Sequence, residues 1–394
     1  MSTETPSSSR PAAVSTAFPA TTRGGSPRVV VVGGGVLGIS TAAHLARAGA
    51  RVDLVTEASI ASGASGRSLS WLNSAGARSD AYHRLRTVGI DRYRTFAVRT
   101  GLHDRVRFDG GLTWAGPGES HRERHAHELS TGYDSVWLAP DEVAAWAPGV
   151  DVTAVAEEGA VFNPGEGWVD LPLLVEALLE QVRAAGGEVH TGVGRARPVV
   201  SGDRVSGVET ASGRTFGTDA VVWATGARVP RDLAALGVEL PDASPVALLL
   251  ETQRIDHPLR AVLNTPRVAI RPTPHGTFVL DSAWSEEEVV VRGEGDYAVA
   301  ASTVDGLLAE ASRVLAGNPR LEVTRRGVGP KPIPGDGEPV AGEVPGVAGL
   351  HVLFTHSGAT LGLVLGEFTA REVLGERVPL LEPFRPDRFA ATTR

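Results

Sequence analysis

Residues 28–38 read RVVVVGGGVLG, and the reading of this stretch decides the fold. Arg28–Val32 is a β-branched run of the kind that makes a strand buried on both faces. Gly33-Gly34-Gly35-Val36-Leu37-Gly38 follows, after which Ile39, Ala42, Leu45 and Ala46 recur at helical spacing up to a stop near Gly49. A second strand, RVDLVT, closes on Glu57. This is a βαβ unit in which Gly33, Gly35 and Gly38 fit the GxGxxG fingerprint of dinucleotide sites. Gly33 permits the tight turn, Gly35 lets the backbone approach a pyrophosphate, and Gly38 lets helix pack closely on strand. The helix N-terminus at Val36 and Leu37 offers free N–H groups and a partial positive charge to the phosphates. Glu57 can accept hydrogen bonds from both ribose hydroxyls, and its charge disfavours a 2′-phosphate. A glycine-rich turn without a ligand is the alternative that the six residues alone leave open.

Composition narrows the rest. The 394 residues suit two or three globular units or one large composite fold, and 42% apolar content excludes disorder throughout. With 38 basic and 46 acidic residues the net charge is −8, so a general nucleic-acid binder is not expected. Cysteine is absent, which removes disulfides, thiolate metal sites, Cys nucleophiles and a flavin link through sulfur. Apolar runs are short and broken by glycine, so no membrane span is expected and the chain reads as soluble and cytoplasmic. Residues 1–27, rich in Ser, Thr, Pro and Ala, read as a disordered tail, with a transit peptide as the alternative.

Along the chain, a helix is expected from Ala81 to about Val98, then strand-like pieces RVRF and GLTWA and the charged stretch HRERHAHELS. His121, His125 and His127 in that stretch could share a helical face, but their Arg and Glu neighbours suit a solvated helix rather than a metal site. A second α/β segment holds the helix LPLLVEALLEQVRAA, the strand EVHTGV ending at Val193, a hairpin (RVSGVETASGRTF) and the strand DAVVWATGA. Residues 240–330 look antiparallel, with PVALLLETQRI, RVAIRP, GTFVLD and EEVVVRG as strands and a helix from Val304 to Leu315. From Leu350 the texture returns to strand and helix.

Three features choose FAD over NAD as the ligand of the fingerprint. Ser62-Gly63-Ala64-Ser65-Gly66-Arg67-Ser68 would let the chain run closely past an extended cofactor. Ala224-Thr225-Gly226 ends a strand in a glycine turn. Thr355-His356-Ser357-Gly358-Ala359-Thr360-Leu361 is a second strand-to-helix turn whose N–H groups could face a flavin carbonyl.

With GGGVLG and Glu57, SGASGRSLSWLN, ATGA, GVGPKPIPGDGEPVAG and HSGATLGLVLGE in this order, the chain resembles the D-amino-acid oxidase family of FAD enzymes, which includes glycine oxidase, sarcosine oxidase and D-amino-acid dehydrogenase. The likeness runs from about Arg28 to Glu376. It implies a mixed α/β (α+β) fold. A Rossmann-like FAD-binding domain would be assembled from the discontinuous segments 28–80, 151–235 and 331–380, beside an antiparallel-sheet substrate domain from 81–150 and 236–330, with a C-terminal tail at 381–394. It also implies oxidation of the C–N bond of a small amine or amino acid by hydride transfer to the flavin, giving an imine that water hydrolyses. FAD would be held non-covalently, and the electron acceptor would be O2 or a carrier.

The resemblance assigns Gly33, Gly35, Val36, Leu37, Gly38 and Glu57 to the ADP half, together with Val193, Thr225 and Gly226. Ser62, Ser65, Arg67 and Ser68 would lie beside the rings, and the amides of Ser357, Gly358, Ala359, Thr360 and Leu361 would face the pyrimidine end. Lys331, the one lysine beside 37 arginines, stands in Gly329-Pro330-Lys331-Pro332 where the family's amino-acid enzymes carry an arginine that holds the substrate carboxylate. Lysine keeps the charge but loses the two-pronged grip. An exposed lysine in a proline-rich turn is the structural alternative. The sarcosine-type lysines are not reproduced at Leu361-Gly362-Leu363 or in GTFVLD (276–281). His356 is an acid–base or positioning candidate, Arg271 a second anion contact or an ordinary surface arginine, and Trp71 a candidate pocket border. A relative oxidising the C–O bond of a 2-hydroxy acid is the second functional reading, and a flavin-binding partner protein with a lost active site the third. Reduction of the bound flavin by amines, by hydroxy acids or by neither separates them.

Overall fold

The computed structural model describes residues 25–392; the expected tail at 1–27 lies, up to residue 24, outside the described residues. Strand β1 (Arg28–Val32) is the middle of a six-stranded sheet, between β2 (Arg51–Val55) and the strand Ala220–Trp223. Val29, Val30 and Val31 are completely buried, as a strand covered on both faces requires. The strands Leu350–Phe354, Ala220–Trp223, β1, β2 and Glu188–His190 run parallel in that spatial order, and Val340–Glu343 adds an antiparallel edge. On one face, α1 (Val36–Arg47) packs with the helices Leu171–Ala184 and Gly358–Val373. On the other, an antiparallel meander (196–217) presses Val205, Val208 and Phe216 onto Val30, Val221 and Trp223.

The second sheet has eight strands and is antiparallel except where Val262–Asn264 runs parallel to Gly111–Thr113. Val246–Thr252 and Val323–Pro330 form one edge, so the chain leaves this sheet at Pro330 and enters the cavity wall with Lys331. The helix Ala301–Val314 buries Val304, Leu307 and Ala311 against the sheet.

Four expectations are corrected. Helix α2 (Asp80–Thr100), expected with the substrate domain, buries Tyr82, Leu85, Tyr93 and Ala97 in the core of the parallel sheet's helical face. Ala160–Asn163, expected in the FAD domain, is instead a strand of the eight-stranded sheet, where it joins Gly111–Thr113 to Val136–Leu138. The expected strand EEVVVRG joins neither large sheet, because among the described residues Val290–Gly293 pairs only with Asp296–Ala298, in an exposed ribbon. The expected C-terminal tail is docked through its first turns, with Leu381 and Phe384 completely buried.

Gly33 adopts φ +126°, and a Cβ there would overlap the carbonyl oxygen of Ala224 on the neighbouring strand. Gly33→Ala should therefore lower stability by about 2 kcal/mol or more, read from urea unfolding. An unchanged midpoint would contradict this close approach.

Candidate active site

A cavity of about 630 Å³ opens where the parallel strands end, between the turns after β1 (Gly33–Leu37), after Ala220–Trp223 (Thr225–Arg228) and after Leu350–Phe354 (Thr355–Thr360). Ligands of open α/β sheets bind at this carboxyl edge. Its other walls are Ser62–Trp71, apart from Gly66, and from the eight-stranded sheet Ala247–Leu249, Asp281, Gly327 and Gly329–Pro332.

Seventeen of the expected residues line it: Gly33, Gly35, Val36, Leu37, Glu57, Ser62, Ser65, Arg67, Ser68, Thr225, Gly226, Lys331, His356, Ser357, Gly358, Ala359 and Thr360. Trp71 does too. Gly38 stands behind the wall, its missing Cβ making room for the Gly33 carbonyl. Leu361 is fully buried and donates its N–H to Ser357 O at 2.8 Å, and Val193 sits in the core with its N–H on Thr56 O at 3.3 Å. Arg271 is away from the main cavity, which corrects its expected role there. It is 3% exposed, 3.8 Å from Asp170, and donates to the Pro272 carbonyl at 3.2 Å.

The walls fit FAD on two counts. At the start of α1, Val36 N–H donates to Ser65 Oγ at 2.9 Å, so a side-chain oxygen already stands at the anion position of the helix terminus, and Gly35 faces it with bare backbone: a Cβ there would come within 3.1 Å of Ser65 Oγ. At the other end, the Gly358–Val373 helix makes its first closing bond at Leu361, leaving the amides of Gly358, Ala359 and Thr360 free to face the cavity. Two helix N-termini thus converge on one chamber. Glu57, half exposed at the first end, is flanked by Arg195 at 3.5 Å and Arg228 at 3.8 Å. Asp232 braces the Thr225 turn, accepting from Thr225 Oγ1 at 2.7 Å and Trp223 Nε1 at 3.0 Å.

The second end carries the strongest charge perturbations. His356 points into the open cavity, but the surrounding protein and the cations Lys331, Arg86 and Arg78 push its imidazole down to about 4, so it is neutral at pH 7. Lys331 is ion-paired with Glu286, so it is not the free cation that the sequence suggests. Beside it, burial raises the Asp281 carboxyl to about 6 against the pull of Lys331. Arg86, 3% exposed, is committed to Asn73 O and Oδ1, both at 2.8 Å, to Tyr82 Oη at 3.2 Å and to Ser357 Oγ. Arg78, Arg86, Asp281 and Glu286 were missed by the sequence reading. Their motifs carry no signal, since nothing local distinguishes two of 37 arginines.

Under this end lies Glu166, completely buried, accepting from Tyr133 Oη at 2.7 Å while its Oε2 has no partner among the described residues. Burial raises its carboxyl from 4.5 to about 7, opposed by the Tyr133 bond, Arg124 and Arg86 and assisted by Glu128. The folded chain therefore binds this proton more tightly than the unfolded one. That stabilisation is complete below about pH 4.5 and is lost as pH rises through 7. Relative to Glu166→Gln, the wild type should lose about 2–3 kcal/mol between pH 4.5 and 8, read from urea unfolding at each pH. Parallel pH profiles for the two proteins would contradict the assignment.

Comparison with known proteins gives the family of the chain. Residues 28–372 match the sequence profile of the DAO family, described as FAD dependent oxidoreductase. The chain is 30% identical over 386 residues to a glycine oxidase of Pseudomonas aeruginosa, covering 91% of this chain and 97% of that one. In fold it is similar to glycine oxidase from Geobacillus kaustophilus, with TM-score 0.78 at 24% identity over 92% of this chain and 99% of that one. It is also similar to L-amino acid deaminase from Proteus vulgaris, with TM-score 0.80 at 21% identity over 95% of this chain and 97% of that one. With the fingerprint, the three converging turns and a matching profile over most of its length, the chain belongs to the DAO family of FAD-dependent oxidoreductases.

Proposed function

We propose that this enzyme oxidises the C–N bond of a small amine or amino acid. The observation that carries the reading is the Asp281 carboxyl in the cavity wall, raised to about 6 and set beside the Lys331–Glu286 pair. This wall is neutral to negative above pH 6, which suits an ammonium better than an anionic alcohol. FAD, when bound, supplies the two-electron acceptor. The residues of the chain prepare the substrate. A C–N bond is oxidised from the neutral amine, so the ammonium must lose a proton, and Asp281 is placed to hold it near neutral pH. His356, neutral at the same pH, lines the chamber without adding positive charge that would repel the ammonium. The free amides at Gly358–Thr360 present fixed dipoles to negative charge that develops on the acceptor.

The Pseudomonas aeruginosa relative, named a glycine oxidase, supports an amino-acid substrate. Among the described residues no helix is long and apolar enough to cross a membrane. A cytoplasmic location, non-covalent cofactor attachment and O2 or a carrier as final electron acceptor belong to the same proposal.

Two experiments test it. In anaerobic mixing with the holoenzyme, D-amino, L-amino or N-methyl amino acids should bleach the flavin while 2-hydroxy acids leave it oxidised; bleaching by hydroxy acids alone would overturn the C–N reading. Gly35→Val should leave a folded chain, verified by circular dichroism, whose FAD affinity falls by about tenfold or more because the side chain enters the space beside Ser65. Unchanged affinity would place the cofactor elsewhere.

A further inference from the structure

Among the described residues the cavity is lined by six positively charged side chains, and five of them are already engaged. Arg67 donates to the carbonyl oxygens of Ser62 at 3.1 Å and Pro330 at 3.4 Å. Arg86 is held by Asn73, Tyr82 and Ser357, and Lys331 by Glu286. Arg195 and Arg228 flank Glu57 at the far end. Arg78, in the loop before α2, makes no hydrogen bond and no ion pair among the described residues. Its one ring contact is with Tyr82, 5.4 Å from the centroid. Its Nε is sealed from solvent without an acceptor, whereas its terminal nitrogens stay accessible. Burial and the neighbouring Arg86 lower its pKa to about 10, which still leaves it charged at pH 7.

A half-buried guanidinium with an orphaned donor is an incomplete anion site. Both Arg78 and Lys331 act on His356, so both border the same end of the chamber. The two sides differ in sign. Lys331 is matched by Glu286 and Asp281, while Arg86 is held by neutral partners and the carboxyl acting on Arg78 is the buried Glu166, raised to about 7. We propose that Arg78 is the specificity-determining residue that holds the carboxylate of an amino-acid substrate, with the amine turned toward Asp281. Lys331, at the position where the resemblance placed the carboxylate anchor, is then a structural partner of Glu286. The assignment rests on the amino-acid reading of the site and selects carboxylate-bearing amines over simple alkylamines.

The test uses holoenzyme and acetate as a dead-end carboxylate, followed through the change in flavin absorbance on titration. Arg78→Met should weaken acetate binding about tenfold or more, Arg78→Lys should recover part of the loss, and Lys331→Met should change it less than about threefold. Retention of FAD by each variant verifies that the fold is intact. Loss of acetate binding in Lys331→Met with none in Arg78→Met would overturn the assignment, as would a wild type that binds no acetate. Reduction of the wild-type flavin by amines, measured on the same samples, separates the two levels. A holoenzyme that amines reduce, but whose acetate affinity ignores Arg78, refutes the anchor alone. One that no amine or amino acid reduces refutes the C–N reading beneath it.

Discussion

Backbone without side chains, gathered at the carboxyl edge of a parallel sheet, is the constraint on which the rest of this structure depends. An elongated anionic ligand can be held there only if main-chain N–H groups reach it, and any Cβ in the way blocks them. Gly33 yields to the Ala224 carbonyl, Gly38 to the Gly33 carbonyl, and Gly35 leaves room beside Ser65. The long sequence separations between residues 33, 225 and 356 vanish because the strands that carry them are adjacent or next but one in the sheet. Burial of β1 on both faces fixes those strands, and the hydrophobic packing of α1 against the Gly358–Val373 helix fixes both helix N-termini toward one chamber.

The second sheet closes the chamber and supplies its chemistry. Its edge strand delivers Lys331 immediately after Pro330, and the strand Phe278–Asp281 delivers a carboxyl whose burial holds it near neutral titration. The result is a chamber with one wall matched in charge and one wall with an unsatisfied cation. In a low-dielectric cavity such an imbalance selects the orientation of a zwitterion more strongly than the total charge does.

The cofactor half of the site was legible in sequence because its requirements are local. A tight turn, a close backbone approach and a helix start each demand glycine or a small residue at a fixed place, and Gly33, Gly35, Thr225 and Gly358 all line the cavity. The substrate half was not. Lys331 was found by motif position, but its partner Glu286 lies 45 residues away on a short helix, and only the fold shows that the charge is neutralised. Arg271 looked like an anion contact because it sits on a strand of the right sheet, yet the strand directs it to Asp170 behind the wall. Arg86 comes from a segment read as substrate-domain helix and Arg78 from the loop just before it, and their approach to Ser357 and His356 depends on α2 docking on the other core. Domain membership failed for the same reason. An amphipathic helix displays its apolar face in sequence but not the surface that receives it.

The central claim is that the converging turns form one slot for a single, non-covalently held flavin nucleotide. Its most direct test is the absorbance spectrum of the purified chain after saturation with FAD and removal of excess, repeated on the supernatant after acid precipitation. One FAD per chain, all of it recovered in the supernatant, is the predicted result. A chain that stays colourless, or one whose precipitate retains the flavin, would contradict the account.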